Sequence, residues 1–212
     1  MTAAGRGNVM SKALLYIHGK GGSSKEAEQI KPLFDGYDVY GIDLAGFTPW
    51  GTEEQIQNAF EALKEKYDSV YVMGNSIGAY FSMFALQNAS VEKAFFISPI
   101  LDMEKLILDM MSWANVTEKE LEEQGTINTD FGETLSWEYL TFVREHPIQW
   151  KTPTEILYAE YDNMTSRETV DDFVNSHEAK LTVMPKGEHW FHTPEQIAFM
   201  SKWLASVIPI SD

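Results

Sequence analysis

The chain has 212 residues and 44% hydrophobic content, enough for one sizeable core and too little for two independent domains. Its 32 acidic side chains against 16 basic ones leave a formal net charge of −16, which disfavours nucleic acid and anionic membranes as partners and leaves no basic stripe for phosphates. Without cysteine there is neither a disulfide nor a thiolate metal site, and the first apolar run, Ala13–Ile17, is too short and too closely followed by glycine to be a signal peptide or a span, so a cytoplasmic location is expected.

Residues 1–10 lack apolar periodicity and read as a flexible extension. From Ala13 onward short apolar runs alternate with longer polar–apolar segments. The expected class is therefore α/β, one domain with a six-stranded, mostly parallel sheet covered by helices on both faces. The expected strands are Ala13–His18, Tyr37–Ile42, Ser69–Gly74, Lys93–Ser98, Glu155–Ala159 and Lys180–Met184. Expected helices are Ser24–Leu33 behind serine caps, Thr52–Tyr67 with Thr52 and Gln55 as a capping box, a helix after Ser76, and Pro194–Val207 with Ile197, Met200, Leu204 and Val207 on one face. Between 101 and 150 the alternation stops, and Glu104–Trp113, Thr117–Glu123 and Leu135–His146 follow as helical stretches without a strand. An insertion between two strands of a parallel sheet falls over the carboxyl edge, so it is expected to form a cap whose Leu106, Ile107, Met110, Met111, Trp113, Trp137, Leu140 and Phe142 wall a pocket.

One stretch carries the chemistry. The apolar run Val70–Met73 meets Gly74-Asn75-Ser76-Ile77-Gly78, a G-x-S-x-G pattern between a strand and a helix. There a tight turn would hold the Ser76 hydroxyl out of the backbone, and the flanking glycines would let the helix fold back beside the strand. A serine hydroxyl is a poor nucleophile at neutral pH and needs a base and a group to orient that base. The run EILYA leads into Glu160-Tyr161-Asp162, and the last strand leads into Pro185-Lys186-Gly187-Glu188-His189, so Asp162 and His189 each fall after a strand at the edge where Ser76 emerges. The candidates are thus Ser76 as nucleophile, Asp162 as orienting acid and His189 as base. His192 competes for the last role but stands just before Pro194, where a helix begins.

At these residues the sequence resembles the α/β-hydrolase family, over nearly the whole span from Leu14 to Ile208. Besides the serine pentapeptide, Asp162 and Gly187-Glu188-His189, the segment Leu15–Gly22 is similar to the family's first-strand His-Gly motif, and Gly41–Phe47 to its D-L-P-G-x-G turn with Ala45 in place of proline. The resemblance implies an oxyanion hole formed by the amides of Lys20 and Ile77, a minimal version of the fold beginning at the pattern's third strand, and a carboxylesterase-like serine hydrolase without cofactor or metal. Thioesterase, lactonase, peptidase or acyltransferase chemistry would use the same residues. His18 is expected to hold the oxyanion loop, Asp43 to serve as a hydrogen-bonding turn residue, and His146 and His177 to lie on the surface beside helix ends.

Two readings from other classes compete. Gly19-Lys20-Gly21-Gly22 after a strand, with Asp43 ending the next, resembles a dinucleotide-binding fingerprint, but Ser24 stands where its third glycine belongs and Ser76 and His189 are left without a role. A non-catalytic binding protein on the same fold is the other. The expected partner is a small, uncharged ester of short to medium acyl length; oligomeric state is not readable from the sequence.

Overall fold

The structure is a computed structural model and describes residues 10–209. A parallel six-stranded sheet in the order β2-β1-β3-β4-β7-β8 is built from β1 (Lys12–Ile17), β2 (Tyr37–Ile42), β3 (Ser69–Asn75), β4 (Ala94–Ile97), β7 (Thr154–Tyr161) and β8 (Ala179–Glu188). Alternation along the strands makes two cores. Leu15, Val72, Phe96 and Ile156 face one side with α2 (Pro49–Lys64), α3 (Ile77–Leu86) and α7 (Arg167–Ser176); Leu14, Met73, Phe95 and Leu157 face the other with α1 (Glu26–Ile30) and α8 (Pro194–Val207). The strands of a sheet buried on both faces read as continuous apolar runs, as they do here. The chain winds one way from β1 to β2 and the other way from β3 to β4, so the carboxyl ends of β1 and β3 form the switch point at which ligands bind in such sheets.

Several elements differ from expectation for local reasons. The helix expected from Ser24 is α1 followed by a 3₁₀ turn at Lys31–Leu33, because Pro32 cannot donate to an α-helical ladder. The second helix begins at Pro49 rather than Thr52: Thr48 Oγ1 accepts from Gly51 N and Pro49 takes the first turn, while Thr52 is buried inside the helix and bonds back to Thr48 O. Helix α7 was not anticipated; Ser166 caps it, but Val170 and Phe173 are its buried residues and make a sparse signal. In α8, Gln196 stands in a capping box with Thr193.

Residues 101–150 contain α4 (Met103–Trp113), α5 (Glu118–Gln124) and α6 (Trp137–Glu145), and also strands, contrary to expectation: β5 (Thr126–Asn128) and β6 (Thr134–Ser136) form an antiparallel hairpin. Each strand has three residues, with Ile127 and Leu135 paired at its centre and Leu135 buried, too short an alternation to stand out in the sequence. The expected helical stretch from Leu135 therefore starts two residues later, at Trp137, with Ser136 as its cap. Arg144 of α6 binds Glu104 of α4 at 2.6 Å and Glu118 of α5 at 2.8 Å, tying the cap helices to one another. No helix among the described residues is long and apolar enough to cross a membrane. The expected extension at 1–10 lies outside the described residues except for Met10.

Candidate active site

Ser76 stands between β3 and α3 with φ 53° and ψ −121°, a left-handed backbone that an L-residue adopts only when its surroundings force it. The surroundings are specific. Ser76 N donates to Ile97 O at the end of β4, and Ser76 O accepts from Ile100 N and Ala79 N. A Cβ on Gly74 would come 2.6 Å from Ala79 Cα, and one on Gly78 would strike the carbonyl oxygens of Ile17 and His18. Both glycines are thus dictated by close backbone approach, the first between strand and helix, the second between helix and the end of β1.

The strained turn aims the hydroxyl at a histidine. Ser76 Oγ lies 2.8 Å from His189 Nε2, and His189 Nδ1 lies 2.7 Å from Asp162 Oδ2. The Asp162 side chain is inaccessible to solvent, and its other oxygen, Oδ1, accepts from Met164 N at 2.8 Å and Thr165 N at 3.0 Å. Those amides fix the carboxylate and leave Oδ2 to accept from the imidazole Nδ1–H; Nε2 is then the lone pair facing the serine hydroxyl. The loop is itself anchored, since Thr165 Oγ1 donates to Pro99 O and Tyr158 Oη to Thr165 O. His189 reaches the site because β8 continues beyond the expected Met184 to Glu188, with a register shift opposite Ala159–Tyr161 and Lys186 at φ 56° bonded through its amide to Glu160. An irregularity of this kind at a strand end re-aims the next side chain.

The loop after β1 closes the other side. Leu44 N donates to His18 Nε2 at 3.1 Å, so Nδ1 carries the proton and donates to Gly19 O at 2.7 Å. Buried His18 thereby ties this loop to the turn after β2. Asp43 accepts from Ser24 N and Ser24 Oγ, and these bonds hold its carboxyl below the usual carboxylate range. Ile77 N, at the first position of α3, belongs to the group of amides that a helix leaves without an intrahelical acceptor. Lys20 and Ile77 both border a cavity of about 380 Å³ at Ser76, walled by apolar side chains of the sheet edge and the cap, among them Ile100, Met103, Leu106, Ile107, Met110 and Met164.

No family model and no curated protein matches this chain. Solved structures do. Est1E from Butyrivibrio proteoclasticus superposes with a TM-score of 0.73 at 16% identity, over 93% of this chain and 87% of that one. The alpha/beta hydrolase domain-containing protein 10 from mouse gives 0.71 at 15% identity, over 92% and 89%. A structure reported under two metagenome-derived lipolytic enzymes, LipS and LipT, gives 0.68 at 16% identity, over 94% of each chain. The chain has the α/β-hydrolase fold.

Within the α/β-hydrolase fold, the positions singled out in the sequence sort clearly. Ser76, Asp162 and His189 come together in one hydrogen-bonded row. His192 does not join them: its Nδ1 bonds to Trp190 O, its ring stacks on Trp190, and its amide donates to Gln196 at the start of α8. His146 and His177 follow α6 and α7 as their caps, each stacked on the phenylalanine four residues earlier and bonded to its carbonyl. Asp43 and His18 are spoken for by the loop bonds above.

The expected pocket wall needs correction. Leu106, Ile107 and Met110 line the cavity, but Met111, Trp113, Trp137, Leu140 and Phe142 do not. Trp113 is 49% exposed and packs edge-on against Phe131 on the outside of the cap, while Phe142 faces Phe84 and Trp50. Met103, Tyr139, Leu135 and Met164 line the cavity and were not anticipated. Met103 could have been found, because Met103, Leu106, Ile107 and Met110 form one stripe at helical spacing. Glu133, which binds Lys20 Nζ at 2.5 Å across the cavity, left no trace in the sequence. Among the described residues no cluster of histidine and carboxylate side chains is placed to hold a metal ion.

Proposed function

We propose that this protein is a serine hydrolase that cleaves small to medium, uncharged carboxylic esters through an acyl-enzyme on Ser76. The observation that carries the reading is the row Ser76 Oγ, His189 Nε2, His189 Nδ1, Asp162 Oδ2, with spacings of 2.8 and 2.7 Å, at the end of a cavity. Solved structures of the same fold that are described as esterases and lipolytic enzymes support it.

Ser76 Oγ attacks the ester carbonyl carbon as its proton passes to His189 Nε2, and Asp162 holds the imidazole in the required tautomer and offsets the positive charge that forms. The carbonyl oxygen becomes an oxyanion, held by the amides of Ile77 and Lys20, each worth roughly 3 kcal/mol in the transition state. Collapse expels the alcohol, which takes the proton from His189, and water deacylates Ser76 by the same route in reverse. The apolar wall receives the acyl chain, and three of its side chains are methionines, which adapt to differing shapes. A net charge of −16 counts against anionic substrates, and a cysteine-free chain suits a reducing cytoplasm.

A panel of p-nitrophenyl esters of rising chain length, with thioester and aminoacyl substrates alongside, tests the reading. Turnover of short to medium esters that is lost in Ser76→Ala is the expected result. Faster turnover of thioesters or aminoacyl substrates would move the assignment to another acyl-transfer class on the same residues.

A further inference from the structure

The loop after β1 and the cap meet in one ion pair, Lys20 Nζ with Glu133 Oε2 at 2.5 Å, and both residues border the cavity beside Ser76. Lys20 and Gly21, the latter at φ 77°, are the central residues of the turn Gly19–Gly22, which Gly22 N closes on Gly19 O; His18 Nδ1 donates to the same oxygen, and Ser23 N donates to Glu26. Those bonds set the ends of the turn, and the Lys20 side chain reaches over to Glu133. Glu133 is braced as well. Thr129 N and Thr129 Oγ1 both donate to Glu133 O at 2.8 Å, and Glu133 N donates to Thr129 Oγ1 at 3.0 Å, which fixes the turn between β5 and β6 from which the carboxylate projects.

We infer that Glu133 is a positioning residue for the oxyanion-binding amide of Lys20. By holding the ammonium it draws the glycine-flanked loop into place beside Ser76, so the oxyanion site is complete only when the cap hairpin Thr126–Ser136 sits over the cavity. The inference rests on the reading of Lys20 as an oxyanion donor. It assigns the cap hairpin a part in the chemical step as well as in forming a wall of the cavity, and it makes the rate sensitive to salt, since both side chains are partly exposed.

The test uses the full chain with Glu133→Gln, Lys20→Met and the exchanged pair Lys20→Glu/Glu133→Lys. Fluorophosphonate labelling of Ser76, kcat and KM for a short ester at low and high NaCl, and thermal unfolding are measured for each. Loosening a donor costs less than removing it, so each single variant should lower kcat by about three- to tenfold, with KM within about twofold of wild type, because an oxyanion contact acts on the transition state. The exchanged pair should recover most of kcat, which also covers a single variant that folds poorly. Salt should slow the wild type and leave Glu133→Gln unaffected. An unchanged or faster Glu133→Gln would overturn the inference; a faster one would mean that the Lys20 charge acts on the oxyanion directly and that Glu133 restrains it. Loss confined to KM, or no recovery in the exchanged pair, would overturn it as well. If the wild type neither labels nor turns over ester, the Ser76 reading falls and this inference with it; intact labelling beside an indifferent Glu133→Gln sinks the inference alone.

Discussion

Ser76 Oγ and His189 Nε2, 113 positions apart in the chain, lie 2.8 Å from each other. The contact depends on a strained turn at one end and an irregular strand end at the other, and each of these can be perturbed separately.

The histidine assignment separates two neighbours. His189→Ala should remove turnover by several orders of magnitude, whereas His192→Ala should stay within a few-fold of wild type, because His192 bonds to Trp190 O and the start of α8. Steady-state rates of the two variants check this; an inactive His192→Ala beside an active His189→Ala would shift the base by three residues.

The glycines make a stability prediction. Gly78→Ala would push a methyl group into the Ile17 and His18 carbonyls, and Gly74→Ala into the Ala79 backbone, so each should cost about 3 kcal/mol or more, at or beyond the upper end for overpacked sites. Gly46→Ala, where a Cβ meets nothing within 4 Å, is the control and should be nearly neutral. Denaturant unfolding of the three variants decides, and a Gly78→Ala as stable as Gly46→Ala would contradict the packing described.

Chain-length preference should follow the cavity wall and not the bulkiest cap residues. Met110→Ala and Leu106→Ala enlarge the space next to Ser76 and should move the preferred acyl chain upward, while Trp113→Ala, half exposed on the outer side of the cap, should leave the profile as it is. Rates on p-nitrophenyl esters of increasing length check this, and a shift from Trp113→Ala alone would place the acyl pocket elsewhere.

Much of this was legible because it is local or ordered along the chain. Gly74, Ser76 and Gly78 announce themselves through sterics within five residues, and Asp162 and His189 through their position after successive strands. What the sequence hid depends on how separate elements meet. Thr52 and Gln55 mimic a capping box, yet Thr48 with Pro49 wins because proline is best placed in the first helical turn. The stripe Met103, Leu106, Ile107, Met110 points into the cavity, but Trp113, the last residue of the same helix, lies outside it and meets Phe131. Glu133 is an ordinary surface carboxylate until the hairpin brings it to Lys20.

Acid should weaken the loop that Asp43 holds. Hydrogen bonds from the Ser24 amide and hydroxyl depress its carboxyl, so its contribution is present above the unfolded-state value and is lost as pH falls through the folded-state one. Asp43→Asn should therefore flatten the acid limb of a melting temperature against pH curve; a limb of unchanged steepness would show that this carboxylate is not coupled to folding.

On this reading Ser76 is a nucleophile activated by His189, which Asp162 in turn holds in place, and covalent labelling probes that chemistry in one step. Incubation with a fluorophosphonate followed by peptide mass spectrometry should place one adduct on Ser76 in the wild type, none in Ser76→Ala, and labelling slowed by orders of magnitude in His189→Ala. A wild-type protein that is folded yet takes up no fluorophosphonate, or that carries the adduct on another residue, would rule out Ser76 as the nucleophile.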